Sequence, residues 1–90
     1  MKRFEYKVPG GKLLRAKVET AEGRISFIQL TGDFFMQPET DLEELETRLR
    51  GSPANSVDSI VKGFFTEKQT VMAGACPADF VYVVNQALKV

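Results

Sequence analysis

The sequence predicts an α+β fold: a three-stranded antiparallel sheet with helices packed on one face. Three observations carry that expectation. The first third of the chain alternates apolar and polar residues with period two, as half-buried strands do. The remainder repeats apolar residues every three or four positions, as amphipathic helices do. The strands come first and the helices follow, which gives an antiparallel sheet with segregated helices, not alternating βαβ units. Ninety residues suit one domain, so 1–90 is read as a single unit.

Phe4, Tyr6 and Val8 alternate with Glu5 and Lys7 and form the first strand, which Pro9-Gly10-Gly11 breaks. Leu14, Ala16 and Val18 alternate with Arg15, Lys17 and Glu19 in the second. Ala21-Glu22-Gly23 supplies a turn, with Gly23 suited to positive φ. Ile25 through Leu30 makes the third strand, so residues 13–31 read as a hairpin. Phe34-Phe35-Met36 is apolar but too short for a helix. Thr40-Asp41-Leu42-Glu43 has the form of a capping box at the head of a helix that buries Leu42, Leu45 and Leu49 and stops at Gly51. Asn55 or Ser56 caps a second helix with Val57, Ile60, Val61 and Phe64 on one face. Thr66 to Gln69 is a polar connection, and Thr70 to Ala73 a short extended piece. Pro77 opens a third helix with Phe80, Val84, Ala87 and Leu88 as its apolar stripe. The expected core joins Leu42, Leu45, Leu49, Ile60, Phe64, Phe80 and Val84 to Ala16, Val18, Phe27 and Tyr6 or Phe4.

Composition narrows the function. There is no histidine and one cysteine, so neither a Ser-His-Asp or Cys-His centre nor an internal disulfide can form, and a zinc site lacks ligands. No metal-ligating set and no catalytic residue is legible. No apolar run approaches the roughly 18 residues that span a membrane, and the charged start is unlike a signal peptide. The expected compartment is the cytoplasm, with no membrane partner. Basic and acidic residues balance at 12 each, but residues 1–17 hold six of the basic groups against Glu5 alone. That asymmetry predicts one positive face. The neutral total argues against nucleic acid and leaves a phosphate-bearing ligand or an acidic protein surface. A chain this short buries only about 60–65% of its unfolded surface, so a covering partner would steady it.

Four features are candidates for chemistry. Lys7-Val8-Pro9-Gly10-Gly11-Lys12 combines glycines that let main-chain N–H groups approach an anion with lysines that supply charge. It is not a Walker A sequence, and it also reads as a plain turn with solvated lysines. Thr31-Gly32-Asp33-Phe34-Phe35 sets a carboxylate beside a glycine after a strand, either as a functional group or as a turn cap beside a core aromatic pair. Cys76, at a helix start, is either a nucleophile or a small buried hydrophobe. The carboxylates of residues 39–46 read most simply as a solvated helix face.

Lys7-x-Pro9-Gly10-Gly11-Lys12-Leu13-Leu14-Arg15, followed by the hairpin and then Thr31-Gly32-Asp33-Phe34-Phe35-x-x-Pro38-Glu39, resembles the small accessory domain of lipoate–protein ligases. The resemblance runs from about Tyr6 to Gly51; from Ser56 onward it matches only in kind. The family's large domain, with its lipoate pocket and ATP site, has no room in this chain. The resemblance therefore implies an accessory subunit, separately encoded and non-catalytic alone, that acts with a catalytic subunit. It implies that the complex uses ATP and lipoate, with magnesium, to make lipoyl-AMP and pyrophosphate. The lipoyl group then passes to a lysine of a lipoyl carrier domain. By the same resemblance, Lys7, Gly10, Gly11, Lys12 and Arg15 face the partner or its nucleotide, with Gly32, Asp33, Phe34 and Phe35 as a second motif. The runner-up is a persulfide carrier of iron–sulfur assembly using Cys76, since the family's small domain shares its shape with such proteins. A third reading is an interaction module with no catalytic link.

Overall fold

The computed structural model describes residues 1–90. β1 (Lys2–Lys7), β2 (Leu13–Ala21) and β3 (Arg24–Gly32) form an antiparallel three-stranded sheet in that order. Leu14, Ala16 and Val18 point inward and are buried, while Arg15, Lys17 and Glu19 point outward. The β2–β3 turn uses two central residues, Glu22 at φ 54° and Gly23 at φ 78°, between the paired Ala21 and Arg24. That is the left-handed pair a type I′ hairpin needs, and only Gly23 announced it in the sequence.

One expected core residue is displaced. Glu19 pairs with Phe27 and Thr20 with Ile25, so Ser26 is an extra residue in β3. This bulge slips the inward phase by one position. Ile25, Ile28 and Leu30 are all buried, and Phe27 is turned to the outer face, half-buried.

A second, two-stranded ribbon pairs β4 (Phe35–Gln37) with β5 (Val71–Ala73). β5 matches the expected extended piece. β4 is a strand where the sequence showed only a short apolar run, because its pairing partner lies more than thirty residues away.

α1 spans Thr40–Leu49, and its start differs from the expected capping box. Thr40 is already helical; Glu39 occupies the cap position with no side-chain bond. The first turn is closed instead by Asp41 N–H to Pro38 O (3.1 Å) and Leu42 N–H to Glu39 O (3.2 Å). Gly51, at φ 86°, ends it as expected. A 3₁₀ turn at Ala54–Ser56 leads into α2 (Val57–Lys68). Ser56 does not cap, because its hydroxyl donates back to Pro53 O (2.8 Å). α2 absorbs the polar stretch expected to be a connection and stops at Gln69, in a left-handed conformation. Contacts outside the helix explain the extra turn. Arg48 of α1 binds Glu67 (2.7 Å) and Glu44 (3.0 Å), Lys68 binds Glu44 (2.8 Å), and the Arg48 guanidinium lies 4.9 Å from the centre of the Phe64 ring. α3 (Pro77–Lys89) starts on Pro77, with the Asp79 carboxylate accepting Cys76 N–H (2.9 Å).

α3 packs across β1 and β2, α1 packs against β3, and α2 packs on α1 and α3. Leu45, Leu49, Phe64, Phe80 and Val84 are buried with Ala16 and Val18, as expected; Leu42, Ile60, Phe4 and Tyr6 lie half-buried at the margin. No helix is long and apolar enough to cross a membrane.

Because Ile28 is inside and Phe27 is not, Ile28→Ala should cost about 2–4 kcal/mol, and the larger Phe27→Ala clearly less, in urea denaturation. The reverse order would mean the bulge is absent. The α1–α2 ion network adds a pH signature. The hydrogen bond from Arg48, then its charge, holds Glu67 below the usual carboxylate range. A lowered acid pKa contributes stability above the ordinary carboxylate value and loses it as pH falls through the depressed one. Lys68 is raised, chiefly by its bond to Glu44, so its contribution is lost only as pH rises past the usual lysine range. The network is therefore constant through neutral pH. The difference in Tm between wild type and Arg48→Ala should be flat there and narrow only at strongly acidic pH, where Glu67 is protonated; loss of the Lys68 charge at basic pH affects both proteins alike.

Candidate functional site

The two glycine-bearing motifs meet at one end of the three-stranded sheet. After β1 the chain turns through Pro9-Gly10, with Gly10 at φ 71°. Gly11 N–H donates to Val8 O (2.8 Å), Val8 N–H to Lys12 O (3.1 Å), and Lys12 N–H to Gly74 O (3.0 Å). Gly74 ends β5, so this last bond ties the ribbon to the sheet. The approach needs bare backbone on both sides. A Cβ at Gly11 would sit 2.5 Å from the Gly74 carbonyl oxygen, and one at Gly74 would sit 2.5 Å from Lys12 Cγ. The second motif joins from the other side: Asp33 N–H donates to Leu13 O (3.0 Å), and a Cβ at Gly32 would collide with that same carbonyl.

This geometry changes what the loop offers an anion. The N–H groups of Gly11 and Lys12 are spent on Val8 and Gly74, so Gly11 serves close packing, while Gly10 supplies the positive φ of the turn. What remains for an anion is lysine charge and the single N–H of Gly10. Lys12 is exposed beside the ribbon, and Lys7 is exposed on the open face of the sheet opposite Leu13. Arg15 lies on the same open face and is engaged with Glu5 at 3.0 Å. Arg3 and Lys17 are directly opposite each other there. The positive face expected from the charge asymmetry is thus the open face of the sheet.

The aromatic pair divides. Phe34 is half-buried, edge-on to Phe80 at 5.2 Å, whereas Phe35 is 51% exposed. Asp33 is exposed beside them. An open groove of about 350 Å³ runs past Phe35, lined by Leu30, Phe34, Met36, Leu42 and Glu39. A second of about 370 Å³ shares Phe35, Met36 and Glu39 and continues along Pro38 and Thr40.

Cys76 is exposed at the start of α3, not a buried hydrophobe. The carboxylates of residues 39–46 are not one solvated face. Asp41 is buried and accepts the Thr70 hydroxyl (2.6 Å), which pins the entry to β5 onto α1. Glu46 accepts Leu30 N–H (2.6 Å), satisfying a donor on the outer edge of β3, and Glu44 binds Arg48 and Lys68. Glu39 and Glu43 are exposed. Sequence reasoning also missed Gly74. Its only local signal is a glycine after a short extended run, and its role depends on Gly11, more than sixty residues earlier. The site as a whole is a rigid corner that presents lysine charge next to an exposed aromatic side chain.

No protein-family model matches the chain. It is 36% identical over 78 residues to lipoate-protein ligase A subunit 2 of Thermoplasma acidophilum, covering 87% of this chain and 78% of that protein. Its structure is similar to a solved chain described as part of an archaeal lipoylation system, a bi-partite lipoate protein ligase and its E2 lipoyl domain, also from Thermoplasma acidophilum. The TM-score is 0.78 with 31% identity, over 92% of this chain and 90% of that one.

The close approach at the corner makes a direct prediction. Gly11→Ala and Gly74→Ala should each destabilise by about 1–3 kcal/mol in urea denaturation, and Lys12→Ala by less than about 0.5 kcal/mol. Equal stability of all three variants would rule out the interlock.

Proposed function

The chain belongs to the family of lipoate–protein ligase A subunit 2, and from that premise we propose that it is the accessory subunit of a two-part lipoate–protein ligase. It acts with a separate catalytic subunit in the ATP-dependent conversion of lipoate to lipoyl-AMP, ahead of transfer to a lysine of a lipoyl carrier domain. The observation that carries this is the extent of the structural match. Nearly the whole of this chain superposes on nearly the whole of a small chain from a bi-partite ligase system. The alternative, a persulfide carrier using Cys76, gains nothing from the relatives, and the exposed thiol alone does not distinguish it.

The physical contribution of the chain is electrostatic and steric. Adenylation develops negative charge on a transferring phosphate, and preorganised positive groups in a water-poor site stabilise it. Lys12 and Lys7 supply positive potential beside a corner that Gly10, Gly11, Gly32, Asp33 and Phe34 hold rigid. Docked over the catalytic subunit, that corner adds charge and excludes water. Arg15 contributes less, because Glu5 neutralises it. The charged groups at the corner are lysines with Asp33 as the one carboxylate, a set that suits a phosphate anion and not a magnesium ion.

Two assays with the catalytic subunit test the division of labour. Pyrophosphate release from ATP plus lipoate should require this chain. Lipoylation of a carrier domain from supplied lipoyl-AMP should depend on it much less, since the lysine attacks the acyl carbon, AMP departs, and both the pocket and the placing of the nucleophile belong to the catalytic subunit. Full pyrophosphate release by the catalytic subunit alone would defeat the proposal. Lys12→Ala should slow pyrophosphate release by about tenfold while the complex still forms.

A further inference from the structure

The outer face of the β4–β5 ribbon is apolar and faces solvent. Phe35 pairs with Ala73 and Gln37 with Val71, all four on the outward side, while Met36 and Met72 face in. Phe35 is 51% exposed and Val71 62%. No packing need explains this, since Met36 and Phe34 already supply the contacts to the body of the domain. Natural chains rarely leave a phenylalanine ridge beside apolar grooves uncovered unless something docks there. The ribbon is also held firmly, by Thr70 on Asp41 at its entry and by Gly74 on Lys12 at its exit. A preorganised apolar ridge is what a tight interface favours, because little ordering remains to be done on binding.

We infer that the Phe35–Val71 face of the ribbon, with the groove between β4 and α1, is the surface on which the catalytic subunit docks; this rests on the accessory-subunit reading above. The chemistry of the face specifies what the partner presents. Leu30, Phe34 and Leu42 line the groove and take an aliphatic or aromatic side chain. Glu39 is the charged group of both grooves, so a lysine or arginine of the partner stands beside that side chain. The ribbon leads directly into the Gly74–Lys12 corner, so a partner seated here brings its nucleotide site within reach of Lys12. A standard interface covers about 800 Å² per partner, so the ribbon forms its centre and the neighbouring surface its rim.

The test uses the whole chain and the purified catalytic subunit, with affinity measured by calorimetry and folding checked by Tm. Phe35→Ser and Val71→Ser should each weaken the complex by about tenfold or more with Tm little changed. Glu39→Lys should weaken it further as salt is lowered, because a like charge then faces the partner. Tyr82→Ser, on the other exposed aromatic patch against Phe4 and Tyr6, should leave affinity unchanged. A complex of wild-type affinity in both ribbon variants would overturn the docking surface while leaving the accessory role intact. So would loss of affinity in Tyr82→Ser alone. A self-association of this chain that Phe35→Ser abolishes would assign the face to a second copy instead. Failure of the wild-type proteins to bind at all would strike the accessory reading itself.

Discussion

The hydrogen bond from Lys12 N–H to the Gly74 carbonyl is the constraint around which the functional end of the molecule is arranged. It closes the distance between two sheets that share no strand. A side chain at Gly11 would strike the Gly74 carbonyl oxygen itself, and one at Gly74, already at φ 90°, would strike the Lys12 side chain. The consequences of the bond spread in both directions. On one side it fixes the β1–β2 turn and, through Leu13, the Gly32-Asp33 corner. On the other it fixes the ribbon, whose opposite end is held by Asp41 and Thr70. Three stretches far apart in sequence thereby become one rigid surface carrying Lys12 and Phe35.

This arrangement suits a subunit that completes another protein's site. The chain brings together no nucleophile with a base and no enclosed cavity; its grooves are open and its lysines exposed. A charge held on a rigid corner is useful when a second molecule carries the reacting groups, because its effect then depends on being placed and not on moving. A small domain also gains stability by covering apolar surface with a partner. On the proposals made above, the exposed ribbon and the position of Lys12 are two aspects of one design: the ridge seats the partner and the corner faces its chemistry.

Much of the fold was legible in the sequence because local patterns carried it. Period-two alternation located β1 and β2, and Gly51 and Pro77 marked helix ends by their own backbone preferences. The paired motifs Pro9-Gly10-Gly11-Lys12 and Thr31-Gly32-Asp33-Phe34-Phe35 carry the resemblance to the lipoate-ligase accessory family in their residues alone. The features that escaped share a cause. The capping box at Thr40 gave way to backbone bonds donated by Asp41 and Leu42 to the carbonyls of Pro38 and Glu39. The bulge at Ser26 reversed the phase of β3 and put Phe27 outside. The last turn of α2 is held by ion pairs to α1. Each depends on a neighbour that composition and periodicity cannot see.

By itself, the sequence determined the class of fold, the strand-then-helix order, most of the buried face and the presence of two glycine-bearing motifs with basic residues between them. Those follow from side-chain hydrophobicity and backbone freedom, which are properties of single residues and short windows. Only the tertiary structure decided what the motifs do. It showed that Gly11 serves a close backbone approach, that Phe34 packs against the core while Phe35 stands on the surface, and that Asp41 and Glu46 are spent on Thr70 and on β3. The physical reason is that hydrogen-bond partners and exposure are set by which segments meet in space, and Gly11 meets Gly74 only in the folded chain.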